Sequence, residues 1–215
     1  MYVPSHFAVE DADTLIHRLA RRWSAVLITV DGDGAPTGTH LPILWDAQKR
    51  VATGHIARAN PHWKLGDGKA LLVLAGAEAY VTPAWYPSKA EHGKTVPTWN
   101  YEAVHISGQV EWFDDGERLE AVLRDLSALH EGDRPEPWAI SDAPRQYIDA
   151  LKRGIVGVAL HAERIEAKRK LSQNKSEADF AGVAEGLAAS EDAQEREIAA
   201  LMRTTRAVSD DPEGN

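Results

Sequence analysis

"SAVLITVDGDGAPTGTHLPILW", Ser24 to Trp45, joins a β-branched run, a cluster of Asp and Gly, and a second run carrying Thr, His, Leu and Ile. The first run, Ser24 to Val30, is continuous and apolar, which suits a strand buried on both faces. "DGDG" (Asp31 to Gly34) supplies the positive φ values of a tight hairpin turn. Pro36 to Trp45 then returns as the partner strand. A hairpin here commits the chain to antiparallel β structure, because parallel strands would need a crossover helix at this point.

The same pattern extends outward on both sides. "EDADTLIHRLARR" (Glu10 to Arg22) opens with acids, closes with bases, and sets Leu15, Ile16 and Leu19 on one helical face. After the turn "DAQKR", "VATGHIA" (Val51 to Ala57) reads as a third strand, and "ANPHW" ends it. "KALLVLAG" and "EAYVTP" read as two further short strands. "AWYPSKAEHGKTVP" (Ala84 to Pro97) is loop-like, rich in Pro, Gly and charge. Asn100 to Phe113 is the longest strand, with Val104, Ile106, Val110 and Trp112 on one face and Tyr101, His105, Ser107 and Gln109 on the other. An amphipathic helix follows at Arg118 to His130, and a second near Ala143 to Leu151. "GIVGVALHAERI" is the last strand. Short strands with hairpin signals, interrupted by helices, predict a mainly β chain with helical additions (α+β) and an antiparallel barrel. Residues 1–187 read as one domain. Residues 188–215 read as an acidic tail, an exposed helix followed by a disordered "SDDPEGN".

Composition narrows the function classes. The 215 residues include no cysteine, which removes disulfides and thiolate metal sites and agrees with a reducing cytoplasm. The start, "MYVPSHFAVEDAD", lacks the basic and apolar regions of a signal peptide. The longest apolar run, Ala70 to Ala77, is far short of the ~20 residues that cross a bilayer. Net charge is −9, of which −7 lies between Glu177 and Asn215, so the rest of the chain is nearly neutral. No stretch is basic enough to announce nucleic acid.

Three constellations could carry chemistry. In "ATGHIARANPHW" (Ala52 to Trp63), Thr53, Gly54 and Arg58 bring a hydroxyl, bare backbone and a guanidinium together, the parts of a phosphate site. The same residues also describe a strand ending in a surface arginine and a Pro-containing turn. "KRKLSQNK" (Lys168 to Lys175) places four cations around Ser172, Gln173 and Asn174. It is either an anion site or a helix start capped by Ser or Asn. In "VPTWNYEAVHISG" (Val96 to Gly108), Trp99 offers a stacking face, and Asn100 and His105 offer hydrogen bonds. The nine histidines form no HExxH and no i, i+4 helical pair, so scattered His is the reading over a metal site. A strand-borne cluster of His40, His55 and His105 stays open. G-x-S-x-G, P-loop and G-x-G-x-x-G signatures are absent from the sequence.

"MYVPSHF", "THLPI", "TGHIARANPHW", "VTPAWY", "VPTWNYEAVHISG", "GIVG" and "KLSQNK" occur in an order and spacing that resemble the PaiB-type, FMN-binding negative transcriptional regulators. The resemblance runs from Met1 to about Leu187. It implies a split β-barrel and a homodimer with FMN near the subunit interface. "VATGHIARA" is also similar to the segment with which pyridoxamine-phosphate-oxidase-like barrels hold the FMN phosphate, which places Thr53 and Arg58 at that group. Where those oxidases carry a second base, this chain has Ala59, and the resemblance leaves the segment containing Lys170 and Ser172 to substitute. The implied cofactor contacts are His40, Thr53, Gly54, His55, Arg58, Asn60, Trp99, Asn100, Lys170, Ser172, Gln173 and Asn174. Direct DNA binding is implied by the resemblance and unsupported by the charge. A flavin-dependent oxidoreductase and a haem-handling barrel are the alternatives, since a bound flavin brings its own chemistry.

Overall fold

The turn at Asp31–Gly34 forms as its residues require. The Asp31 carboxylate accepts from the backbone N–H of Asp33 (3.0 Å) and Ala35 (2.9 Å), and Gly34 takes φ +85°. In the computed structural model, which describes residues 1–210, this turn joins Ala25–Val30 (β1) to Pro36–Leu41 (β2). Register runs from Ala25 opposite Leu41 to Val30 opposite Pro36. The helix Ala12–Arg22 (α1) precedes the hairpin, capped by Asp11, whose carboxylate accepts from the Thr14 N–H. Ile43–Asp46 (β3), Val51–Ala57 (β4) and Gly68–Val81 (β5) follow. Then come Ser88–His92 (α2), Thr98–Phe113 (β6), Gly116–Glu131 (α3), Arg145–Arg153 (α4), Ile155–Lys170 (β7), Glu177–Ala188 (α5) and Ala193–Asp210 (α6).

All seven strands belong to one antiparallel sheet, in the order β2-β1-β5-β6-β7-β4-β3. Its two end strands, β2 and β3, are separated in sequence by Pro42 alone. Leu27, Leu41, Ile43, Ala52, Leu72, Val158 and Leu160 come from six different strands, yet they surround one interior void of about 10 Å³. Side chains from both ends of a sheet meet only if the sheet curls on itself. This is the barrel that the hairpin signals predict.

Two compact units divide the chain: Asp11–Leu74 with Val104–Glu166, and Met1–Glu10 with Ala75–Ala103 and residues 167 onward. The first holds the barrel interior. A further apolar cluster there gathers Phe113, Leu119, Val122, Leu126 and Ala159, with Leu44, Val51 and Ile155 against it. Gly157 makes this packing possible, since a Cβ there would sit 2.2 Å from the Phe113 ring. The second unit contains α5 and α6. Trp85 packs its ring on Gly186 and its carbonyl on Gly182, where added Cβ atoms would lie 2.4 Å and 2.2 Å away. Asp179 of α5 accepts from the Ser88 N–H and hydroxyl at 3.1 and 2.8 Å. Among the described residues, no helix is long and apolar enough to cross a membrane.

Several elements differ from their sequence reading. β1 alternates, with Ala25, Leu27 and Thr29 buried and Val26 and Ile28 half-buried, because only one of its faces meets the barrel interior. Pro36–Trp45 is two strands rather than one, broken at Pro42, which has no N–H for a ladder. "KALLVLAG" and "EAYVTP" are one strand, β5. Its buried positions shift phase from Ala70, Leu72 and Leu74 to Ala77, Ala79 and Val81, so the strand turns its other face inward past Gly76. Of the acidic segment 188–215, read as an exposed helix, Ala193–Asp210 form α6, with Ile198, Ala199 and Met202 almost fully buried. The disorder expected at its end falls mostly on residues 211–215, which lie outside the described residues.

Candidate functional site

Strand β4 turns Ala52, Gly54 and Ile56 inward and Val51, Thr53 and His55 outward. Gly54 therefore does not bare its backbone to a ligand. A Cβ there would lie 2.6 Å from the Pro42 carbonyl oxygen, so its smallness serves barrel packing. His55, facing out, is different. Its Nδ1 is buried and meets no hydrogen-bond partner among the described residues, and burial holds its pKa below the ordinary histidine value. A buried polar atom left unpaired by the chain is open to a ligand or to a bound water.

Arg58 follows the strand. Its Nε donates to the Arg153 carbonyl and its Nη2 to the Ile155 carbonyl, both at 2.9 Å, while Asp114 lies 3.9 Å from Nη2. The guanidinium thus ties β4 to the start of β7 and still presents Nη1. Beside it lies an open groove of about 260 Å³, walled by Trp63, Trp112 and Phe113. Both indoles are pinned: Trp63 Nε1 donates to the Arg58 carbonyl at 3.0 Å, and Trp112 Nε1 to the Gly66 carbonyl at 3.1 Å. A cation beside the Trp63 indole, in a groove that Trp112 and the Asp114 carboxylate also line, can receive an anionic oxygen or the edge of a flat ring. The sequence reading did not include Trp63 and Trp112 among the contacts.

Asn60 is occupied otherwise. Its amide donates to Thr39 Oγ1 at 3.0 Å, and its carbonyl accepts from the His62 N–H at 3.0 Å. The His62 ring, 1% exposed, bonds Thr29 Oγ1 and Thr39 Oγ1 through its two nitrogens, each at 2.8 Å. This network is closed on itself, and burial lowers the His62 pKa. The "NPHW" motif is thereby a structural lock of the barrel unit. His40 stands exposed on β2. Among the described residues, no group of three His, Asp or Glu converges as a metal site, and so His40, His55 and His105 form none.

Thr53 lies elsewhere. It lines a groove of about 740 Å³ between α3 and the outer face of β3, β4 and β7. Phe113 borders both this groove and the one at Arg58. Thr53 and Arg58, paired by the sequence reading, thus line different grooves that share one phenyl wall.

The remaining candidates belong to the second unit. Asn100 is fully buried, exchanging hydrogen bonds with Ser172 at 3.0 and 3.1 Å and donating to Met202 Sδ at 3.5 Å. Both side chains face the interior of that unit. Ser172 adopts φ +65°, and the α5 cap is Ser176, which accepts from the Asp179 N–H. Gln173 folds back onto the Leu171 N–H and the Arg169 carbonyl, and Asn174 is exposed. Trp99, half exposed, meets Tyr80 edge-on at 5.9 Å. The cations are engaged internally. Lys168 Nζ donates to the Tyr2 carbonyl and lies near the rings of Phe7 and Tyr101; Arg169 pairs with buried Glu102 at 2.7 Å; Lys170 donates to Thr98 Oγ1 and the Trp99 carbonyl. Burial, then the Lys168 and Lys175 charges, lowers the Lys170 pKa.

Residues 1–164 match the family described as "Putative FMN-binding domain". Protease synthase and sporulation protein PAI 2 of Bacillus subtilis (strain 168) is 31% identical over 206 residues, spanning 94% of this chain and 96% of its own. The flavocytochrome Anf3 of Azotobacter vinelandii superposes with a TM-score of 0.56 at 16% identity, covering 84% of this chain and 78% of that one. A conserved hypothetical protein from Mycobacterium tuberculosis gives 0.55 at 13% identity, covering 81% and 92%. At these identities the two structures speak for the fold alone.

Proposed function

Because the chain belongs to the PaiB-type family of FMN-binding proteins, and FMN is the cofactor that comes with it, we propose that it is a flavin-carrying negative regulator of transcription. It acts as a cytoplasmic homodimer with FMN near the subunit interface. The observation that carries the flavin site is the Arg58 guanidinium, fixed by two backbone carbonyls beside Trp63, in a groove that Trp112 also lines, with Nη1 still free for an anionic oxygen. The Nδ1 of His55, on the outward face of β4, adds a second polar group that has no partner among the described residues. Arg58 would hold the phosphate or another anionic edge, and His55 would supply a hydrogen bond. FMN itself would supply hydride or electron transfer. The chain's residues bind it, orient it and keep water from its ring.

Direct contact with DNA through Lys168–Lys175 is disfavoured, because those cations already hold the interior of their own unit. Regulation then runs through another partner or through the flavin's redox state. A flavin-dependent oxidoreductase is the second reading, favoured by the family's FMN, which brings hydride and electron chemistry of its own. The test combines three measurements. The absorption spectrum of the untreated protein separates flavin from haem. An FMN titration of wild type and Arg58→Ala should show binding weakened at least tenfold. A gel shift at low salt, with and without FMN, should give no salt-sensitive complex. A complex that persists irrespective of FMN and falls steeply with salt would establish direct DNA binding instead.

A further inference from the structure

The groove on the other side of Phe113 has no part in that proposal, although at about 740 Å³ it lies within the ~300–1,000 Å³ of small-molecule sites. Its floor and walls are apolar: Leu44, Val51, Phe113, Val122 and Ala159, with the Thr53 hydroxyl set among them. That hydroxyl makes no hydrogen bond to another described residue, so it remains available as a single polar contact. The charges at the rim are already matched. Lys49 pairs with Asp46 at 2.8 Å, Asp125 with Arg124 at 2.8 Å, and Arg118 with Glu111 at 2.6 Å. Arg118 is further held by the Phe113 ring, 3.9 Å from its guanidinium carbon. His161 pairs with Glu111 as well, so apart from exposed His17 and Gln48 the polar side chains of the rim are engaged, and an ionic ligand would compete with one of these pairs. An uncharged one need break none.

We propose that this groove binds an uncharged, largely apolar small molecule, anchored by one hydrogen bond to Thr53, at a site separate from the flavin's. Its occupant presses on Phe113, whose ring also walls the Arg58 groove and sits against Gly157. A regulator needs an effector and an oxidoreductase needs a substrate, and this groove supplies the place for either.

Nile red, an uncharged dye whose emission rises in apolar surroundings, tests the proposal on the full chain. The expected result is saturable binding at one dye per chain. Ala121→Trp, on the α3 wall, and Thr53→Leu, on the strand floor, fill the groove from opposite sides. Each should weaken the dye at least tenfold, and Arg58→Ala should change it less than twofold. Melting curves confirm that each variant is folded, and should Ala121→Trp not fold, Thr53→Leu carries the test. FMN added at saturation should leave the dye in place. The idea is overturned if binding does not saturate, if both folded filling variants bind the dye as wild type does, or if FMN displaces it. It is overturned equally if the anionic dye 8-anilinonaphthalene-1-sulfonate binds more tightly than Nile red. A chain that binds the dye but no FMN would leave this site standing and remove the flavin reading.

Discussion

Replacing Arg58 separates what its guanidinium does for the fold from what it does for a ligand. Two of its N–H groups are committed to the carbonyls of Arg153 and Ile155 at 2.9 Å. Hydrogen bonds from a charged donor contribute about 1.5–3 kcal/mol each. The side chain is 35% exposed, so the lower end applies and the two together are worth on the order of 3 kcal/mol. The ion pair to Asp114, itself 74% exposed, adds little. In a chain of this length Arg58→Ala should therefore lower Tm by about 6–12 °C. The Nη1 contact to an anion is a separate loss, tenfold or more in FMN affinity. Arg58→Lys distinguishes the two roles. Its ammonium keeps the charge but cannot reproduce the planar fork that reaches both carbonyls. FMN affinity should stay within about tenfold of wild type while Tm falls nearly as far as in the alanine variant. Calorimetric melting and FMN titration, run on the same preparations, decide it. An alanine variant that melts with wild type refutes the structural role, and unchanged FMN affinity refutes the ligand role.

Truncating α6 at one buried point, Ile198→Ala, should cost about 2–4 kcal/mol and move the urea midpoint, whereas exposed Gln194→Ala should not. Equal midpoints would return the segment to the status of an appendage. Gly157→Ala forces a methyl group into the Phe113 ring and should cost at least about 1–3 kcal/mol, measured by the same denaturation. For His62, burial favours the neutral ring, so its folded pKa lies below its unfolded one. The unfolded chain then takes up the proton first, and stability present above about pH 6.5 is lost as pH falls below it. His62→Gln, which cannot titrate, should flatten that part of a Tm-against-pH curve; an unaltered slope would assign it to other groups.

Much of the barrel was legible because its signals are local. The Asp31–Gly34 turn, the charge order of α1 and the stripe of α3 each lie within a few residues of what they organise. Gly76 reads as a break that divides β5 in two, whereas the strand continues across it with a change of phase. The sites were harder. Arg58 is visible as a guanidinium after a strand, but its carbonyl partners are 95 and 97 residues away. Asn100 advertises hydrogen bonding equally to a cofactor or to Ser172, 72 residues on, and nothing local separates those outcomes. The same holds for Lys168, whose aromatic neighbours come from both the start and the middle of the chain. Acidic composition concealed the buried stripe of α6, because Ile198, Ala199 and Met202 occupy one face among charges that belong to the other.

Pro42 has a consequence for how copies of this chain tolerate one another. The two end strands of any open sheet carry rows of unpaired backbone groups that recruit further strands and seed aggregates. Here those ends, β2 and β3, are only six and four residues long, and a single residue links them. That residue is the one amino acid with no N–H to offer an incoming strand. The place where this sheet fails to close is thereby also the place where it is least able to grow, and the opening that a split barrel must have is kept from becoming a template.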